Sequence, residues 1–188
     1  MTVFSRLVLC LAIAPLLGAC GDNAARYLLD APSPAQKVGV RVRTIEVRDV
    51  ALPDYASASE IMVQDEAGAL HPVPKAIWAD DPVRGISLLL AHNLDAASTA
   101  TAMTEPWPLD QPPDARVDVR VERMIAQFDD QFRLSGQYAI ASPDLIVRER
   151  IERFDILRPM ADQSPAAVAS ATSSALLALS EQIASKLR

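Results

Sequence analysis

VDVRVERMIAQFDDQFRLSGQYAIA, residues 117–141, holds the clearest periodicity in the chain. Val117, Val119 and Val121 alternate with Asp118, Arg120 and Glu122. A period of two is the mark of a strand with one face buried and one wet. Asp129-Asp130 reads as a turn, after which Phe132, Leu134, Gly136, Tyr138 and Ile140 alternate again. Ser142-Pro143-Asp144 marks a second turn, and Leu145 to Leu157 reads as a third segment. The three segments predict an antiparallel meander with one solvated face. The mixed-charge run from Arg148 to Arg153 fits that solvated face and protects an edge from unwanted pairing. A subunit or partner contact there is the alternative.

Outward from the meander, two stretches carry helix grammar. Ser164-Pro165 and Asp81-Pro82 each place a capping side chain before a proline at the first helical position. Val168, Thr172, Leu176, Leu179, Ile183 and Leu187 follow the first at helical spacing; Val83, Ile86, Leu90, Leu94 and Ala97 follow the second. Asp80-Asp81 is thus a helix cap before it is a catalytic carboxylate pair. Upstream, Arg26–Asp30 reads as a first strand, and Val38, Val40 and Val42 as a half-buried one with a bulge or bend at Thr44. Segments 59–64 and 69–75 predict a hairpin around Asp65-Glu66-Ala67-Gly68. Residues 98–114, with Trp107-Pro108 and Pro112-Pro113, read as extended or irregular. The expected fold is α+β: a mostly antiparallel sheet of about six or seven strands, with two amphipathic helices packed on one face.

Composition narrows function. The chain has 188 residues, half of them hydrophobic, and a net charge of −6. That suits one domain with a sizeable core, and no basic patch points to nucleic acid. Its two histidines, His71 and His92, have no neighbours in sequence that suggest a triad or a metal site. No nucleophile–base pair, phosphate loop or metal spacing is legible, so the expectation is no enzyme and no metal. Trp78 and Trp107 read as packing residues. Tyr55, with Leu52 and Pro53 on a loop, is the candidate partner-binding point, because loops carry recognition.

The N-terminus reads MTVFSRLVLCLAIAPLLGAC. One basic residue, Arg6, precedes an apolar run from Leu7 to Leu17, which is signal-peptide grammar and too short to span a bilayer. Leu17-Gly18-Ala19-Cys20 resembles a bacterial lipobox. That resemblance implies loss of residues 1–19 and acylation of the Cys20 thiol by diacylglycerol, with the new amino end often acylated too. Residues 20–25 become a lipidated tether and residues 26–188 a single α+β domain. The other cysteine, Cys10, lies in the signal, so the mature protein has no disulfide and no free thiol. Gly21 rather than Asp follows the cysteine, which leans the location to the periplasmic face of the outer membrane.

Several short motifs occur in a telling order. Val50, Leu52, Pro53 and Tyr55 precede an Ile61–Val63 strand; Trp78 precedes Asp80-Asp81; a helix ends in His92-Asn93-Leu94; and Asp118-Val119 lies in the strand Val117–Ile125. With the lipobox and Tyr27-Leu28-Leu29, this resembles the ABC-type transport auxiliary lipoproteins, also called the paraquat-inducible lipoprotein family. The run Ala56-Ser57-Ala58-Ser59 departs from that family's pattern. The resemblance implies a periplasmic partner of a transport system: an inner-membrane ABC transporter or permease with mammalian-cell-entry (MCE) domain proteins, moving lipid or other apolar compounds between membranes. A homo-oligomer is compatible with it, and no cofactor beyond the covalent lipid is implied. A self-standing lipid carrier, or a structural lipoprotein assisting outer-membrane assembly, are the alternatives.

Overall fold

The structure, a computed structural model, describes residues 23–188. Its elements run β1 (Ala25–Tyr27), β2 (Thr44–Val47), α1 (Asp54–Ser57), β3 (Glu60–Gln64), β4 (Leu70–Trp78), α2 (Pro82–Ala97), β5 (Thr101–Thr104), β6 (Ala115–Ala126), β7 (Gln131–Ala141), β8 (Arg150–Pro159) and α3 (Pro165–Lys186). Eight strands form one sheet around β6. On one side β6, β7 and β8 make the predicted antiparallel meander, with ten partnered residues at each junction. On its other side β6 meets two strands. Its start pairs in parallel with β2, which carries β5, also in parallel. Its last residue, Ala126, pairs in parallel with Val63 of β3, which carries β4 and then β1. The sheet therefore forks.

The α+β class holds, with eight strands in place of six or seven and a one-turn third helix, α1. The antiparallel pairings are the long ones, yet four short parallel pairings were not legible. Parallel neighbours lie far apart in sequence, so no local pattern announces them. The predicted hairpin is β3–β4. Strand β5 lies inside the stretch read as extended or irregular.

The meander's alternating residues face the core as predicted: Val117, Val119, Val121, Phe132, Leu134, Gly136, Tyr138 and Ile140 are all buried. Two other expectations are corrected. Residues 145–149 are not strand: Leu145 turns with φ 51°, the Ser142 hydroxyl accepts the Ile146 N–H, and β8 starts only at Arg150. The alternating valines 38–42 are not a ladder strand either. They line one side of an extended strap, residues 28–43. Val38 and Arg41 donate to the carbonyls of Ala97 and Leu187 at the helix ends, and Val40 donates to the Thr99 hydroxyl. Period two reports an extended segment with one covered side; here helix ends provide much of the cover.

Both predicted caps form. Asp81 accepts the Arg84 N–H at 2.9 Å and Ser164 accepts the Ala167 N–H at 3.3 Å. Both helices contact the sheet and each other. Helix α2 is amphipathic, with Ile86, Leu90, Leu94 and Ala97 buried. Helix α3 is not: besides its predicted stripe, Ala169, Ala171, Ser173, Ala175, Ala178, Ser180 and Ala184 are buried. Small side chains let it sit embedded among α2, β7, β8 and β1. Both helices end beside residues 38–41 and begin near residues 26–32, so they run parallel under the strap.

Two details hold the sheet in register. A bulge falls between Val121 and Arg123, and Gly136 sits across from it. A Cβ at Gly136 would lie 2.1 Å from the Arg120 carbonyl oxygen, so only glycine permits this approach. Phe154, directly opposite Gly136 on β8, stacks on Tyr138 at 6.3 Å and covers the gap. Near the other end of β6, Asp114 ties β2 to β6. Its carboxylate accepts the Arg43 backbone N–H at 2.7 Å, and its own N–H donates to the Thr44 hydroxyl. That backbone hydrogen bond, reinforced by the Arg43 guanidinium against the opposing effect of burial, holds the Asp114 carboxyl below its usual value.

Gly136→Ala is expected to lower stability by about 3 kcal/mol, as overpacking against rigid backbone does; chemical denaturation measures it, and a near-neutral result would contradict the close approach. A depressed carboxylate stabilises the fold fully above its unfolded pKa, near 4, and progressively less as pH falls through its lower folded value. Asp114→Asn is therefore expected to cost most at neutral pH, and its deficit to shrink as pH drops below about 4.

Candidate functional site

The strap and the first half of α2 enclose an apolar groove of about 280 Å³. Trp78, Ile86, Leu89 and Met124 are among its lining residues, and Tyr27 of β1 with Leu28 and Leu29 of the strap forms one wall. Leu28 and Leu88, 68% and 44% exposed, stand at its rim. Apolar area left in water is unfavourable, and a rimmed patch of it marks a contact surface. The groove's carboxylates are spoken for: Asp81 caps α2, and Asp80 pairs with Arg84. His92 lines the groove from an exposed position on α2.

Gly85 belongs to the same lining and sits inside α2. A Cβ there would meet nothing within 4 Å. Neither crowding nor backbone conformation requires glycine at this position, and glycine in a helix interior costs about 1 kcal/mol relative to alanine. Its missing side chain leaves open space on the groove's lining.

A second recess, about 480 Å³, lies between the strap and α3, with Arg26, Asp30, Ser170 and Ser173 among its walls. The Ser173 hydroxyl and the Asn93 side-chain amide are buried without a partner among the described residues. Asn93 is the asparagine of the His92-Asn93-Leu94 motif.

The Leu52–Tyr55 segment occupies the fork of the sheet. Ahead of it, Ala51 exchanges backbone hydrogen bonds with Val119 and Val121 of β6. Pro53 is the N-cap residue of α1, and its carbonyl accepts the N–H groups of Ala56 and Ser57. Leu52 and Tyr55 are half-buried and pack on the core. The Tyr55 hydroxyl accepts the Met124 N–H at 3.1 Å, in the gap before β3 joins. Met124 also lines the groove, so Tyr55 holds a groove residue in place. Cys20 lies outside the described residues. His71 pairs with Asp65 at 2.8 Å on the exposed hairpin turn, a contact its sequence spacing did not reveal; that hydrogen bond is the main cause of a lowered Asp65 pKa. Among the described residues, no three His, Cys, Asp or Glu side chains cluster as a metal site would need. No described helix is long and apolar enough to cross a membrane.

Sequence reasoning placed Trp78, the Asp81 cap and the Tyr27-Leu28-Leu29 segment, but it did not join them into a groove. The available signal was Leu88, an apolar residue off the buried stripe of α2, three positions after a glycine.

Fold and groove together describe an α+β domain with an exposed apolar groove. The chain belongs to the family of ABC-type transport auxiliary lipoprotein components, which it matches over residues 27–184. An uncharacterized protein of known crystal structure shares the fold with TM-score 0.71 at 15% identity, covering 88% of this chain and 99% of its own. A Xanthomonas campestris protein assigned to the DUF330 family does so with TM-score 0.63 at 16% identity, covering 85% and 92%. No curated protein matches the chain.

Tyr55→Phe is expected to destabilise the fold by about 1–3 kcal/mol, because the Met124 N–H loses its acceptor. Amide exchange at Met124 checks it directly: protection there should fall more than elsewhere on β6, and unchanged protection would show that the hydroxyl is dispensable.

Proposed function

We propose that this protein is the periplasm-facing lipoprotein subunit of an intermembrane lipid-transport system, anchored through acylated Cys20 at the outer membrane. There it docks an MCE-domain assembly served by an inner-membrane ABC transporter or permease, and supports envelope integrity. It works by contact and carries out no reaction of its own. The observation that carries this reading is the family match over residues 27–184, directly downstream of the lipobox-like Leu17–Cys20.

Several features support it. β1 starts at Ala25, five residues after Cys20, so the domain stays within about 17 Å of its anchor. Two or three acyl chains make such an anchor stable where one does not. Short tethers raise the local concentration of a binding surface for a partner reaching across the periplasm. The fork segment Leu52-Pro53-Tyr55 is the surface offered to that partner. A free-standing carrier would need a cavity between sheet and helices; that layer is filled by Ile45, Leu90, Leu94, Leu134, Leu176 and Leu179, all essentially inaccessible.

Labelled palmitate is expected in the wild-type protein and absent from Cys20→Ala. An affinity-tagged wild type, extracted in mild detergent, is expected to retain an MCE-domain protein encoded by the same genome. Clean failure to retain any transport component from acylated protein would overturn the docking role.

A further inference from the structure

We infer that the groove between the strap and α2 holds one fatty-acyl chain of the protein's own lipid on Cys20. The inference rests on the acylation of Cys20 proposed above. Four observations lead to it.

The first is chemistry. The groove offers apolar walls, and its two carboxylates are already engaged, one by the α2 N-terminus and one by Arg84. A peptide would need partners for its backbone polar groups; an acyl chain needs none. The second is size. At about 280 Å³ the space lies at the lower limit of small-ligand pockets, so it suits a stretch of one slender chain and not a whole phospholipid. The third is Gly85, whose absent side chain leaves room that the fold has no other use for.

The fourth is reach, and it selects the source of the chain. Tyr27, Leu28 and Leu29 form one wall, and Tyr27 sits opposite Trp78 in the β1–β4 pair. Cys20 is five residues from Ala25, within about 17 Å. A chain attached there meets the groove at the high effective concentration of a short tether, which a free lipid must match by mass action. Withdrawing one of three chains leaves two, still enough for stable anchoring. It also turns the strap side of the domain toward the lipid surface, giving the domain one orientation.

The test uses the full chain, matured in a Gram-negative host whose membrane lipids carry diazirine-bearing fatty acids. Intact mass first establishes acylation of Cys20; an unmodified thiol overturns both readings together. On irradiation of the detergent-purified acylated protein, intramolecular cross-links are expected in the peptides containing residues 27–31 and 82–92. Gly85→Phe fills the groove from an open position and is expected to reduce those cross-links at least fivefold, with acylation unchanged and a cooperative thermal transition retained. Gly85→Ala serves as the second variant: it should fold at least as well as wild type and reduce the cross-links less. Acylated protein that cross-links only to detergent, or equally in wild type and Gly85→Phe, overturns the inference and leaves the lipidation standing. So does an unacylated chain, exported behind a non-lipoprotein signal, that co-purifies with one phospholipid removable by Gly85→Phe; the groove would then serve free lipid.

Discussion

The backbone of β6 must be satisfied on both edges, and the rest of the structure follows from how that is done. One edge is simple: β7 takes it from end to end, and β8 follows. The other is divided between β2 at the start and β3 at the finish. Neither covers the middle. Buried N–H and C=O groups left there would each cost about as much as a lost hydrogen bond. The Ala51 backbone and the Tyr55 hydroxyl fill this gap. A tyrosine is suited to the place because its ring packs on the core while its oxygen reaches the strand.

This division arranges the two branches and the helices. β2 brings β5, and β3 brings β4 and β1. Helix α2 connects the branches and lies across the sheet with α3 beside it. Since β1 ends one branch at the start of α2, the chain can only rejoin β2 by crossing the outside of the helical layer. The strap is that crossing. The groove is the space where strap, helix and sheet edge fail to close on one another, with Gly85 on its lining.

Much of this was legible wherever one residue's environment is set by its near neighbours in sequence. The meander, the hairpin and both helix starts came from alternation, turn residues and caps, and each formed. Val38–Val42 misled because alternation records coverage and not what provides it. α3 looked amphipathic because its alanines and serines are apolar enough to be buried yet too small to register as a stripe. The fork was illegible in principle, since β2, β3 and β6 are separated by long stretches of chain. Tyr55 was singled out as a contact residue for its loop position; its hydroxyl was already needed by Met124. The groove depends on Tyr27, Gly85 and Met124, three residues that no local pattern could join.

One feature of the N-terminal strand bears on mechanics. β1 is three residues long and, among the described residues, pairs with β4 alone. The first backbone hydrogen bond beyond it in the strap is made by Val38 to Ala97. Load applied from the N-terminal side of the domain therefore enters through a three-residue junction, behind which Leu29 packs on the core but no backbone hydrogen bond follows before Val38. If that junction parts, residues 25–37 pay out and the domain gains about 45 Å of reach. Under tension from that side, β1 is the latch on that length of chain.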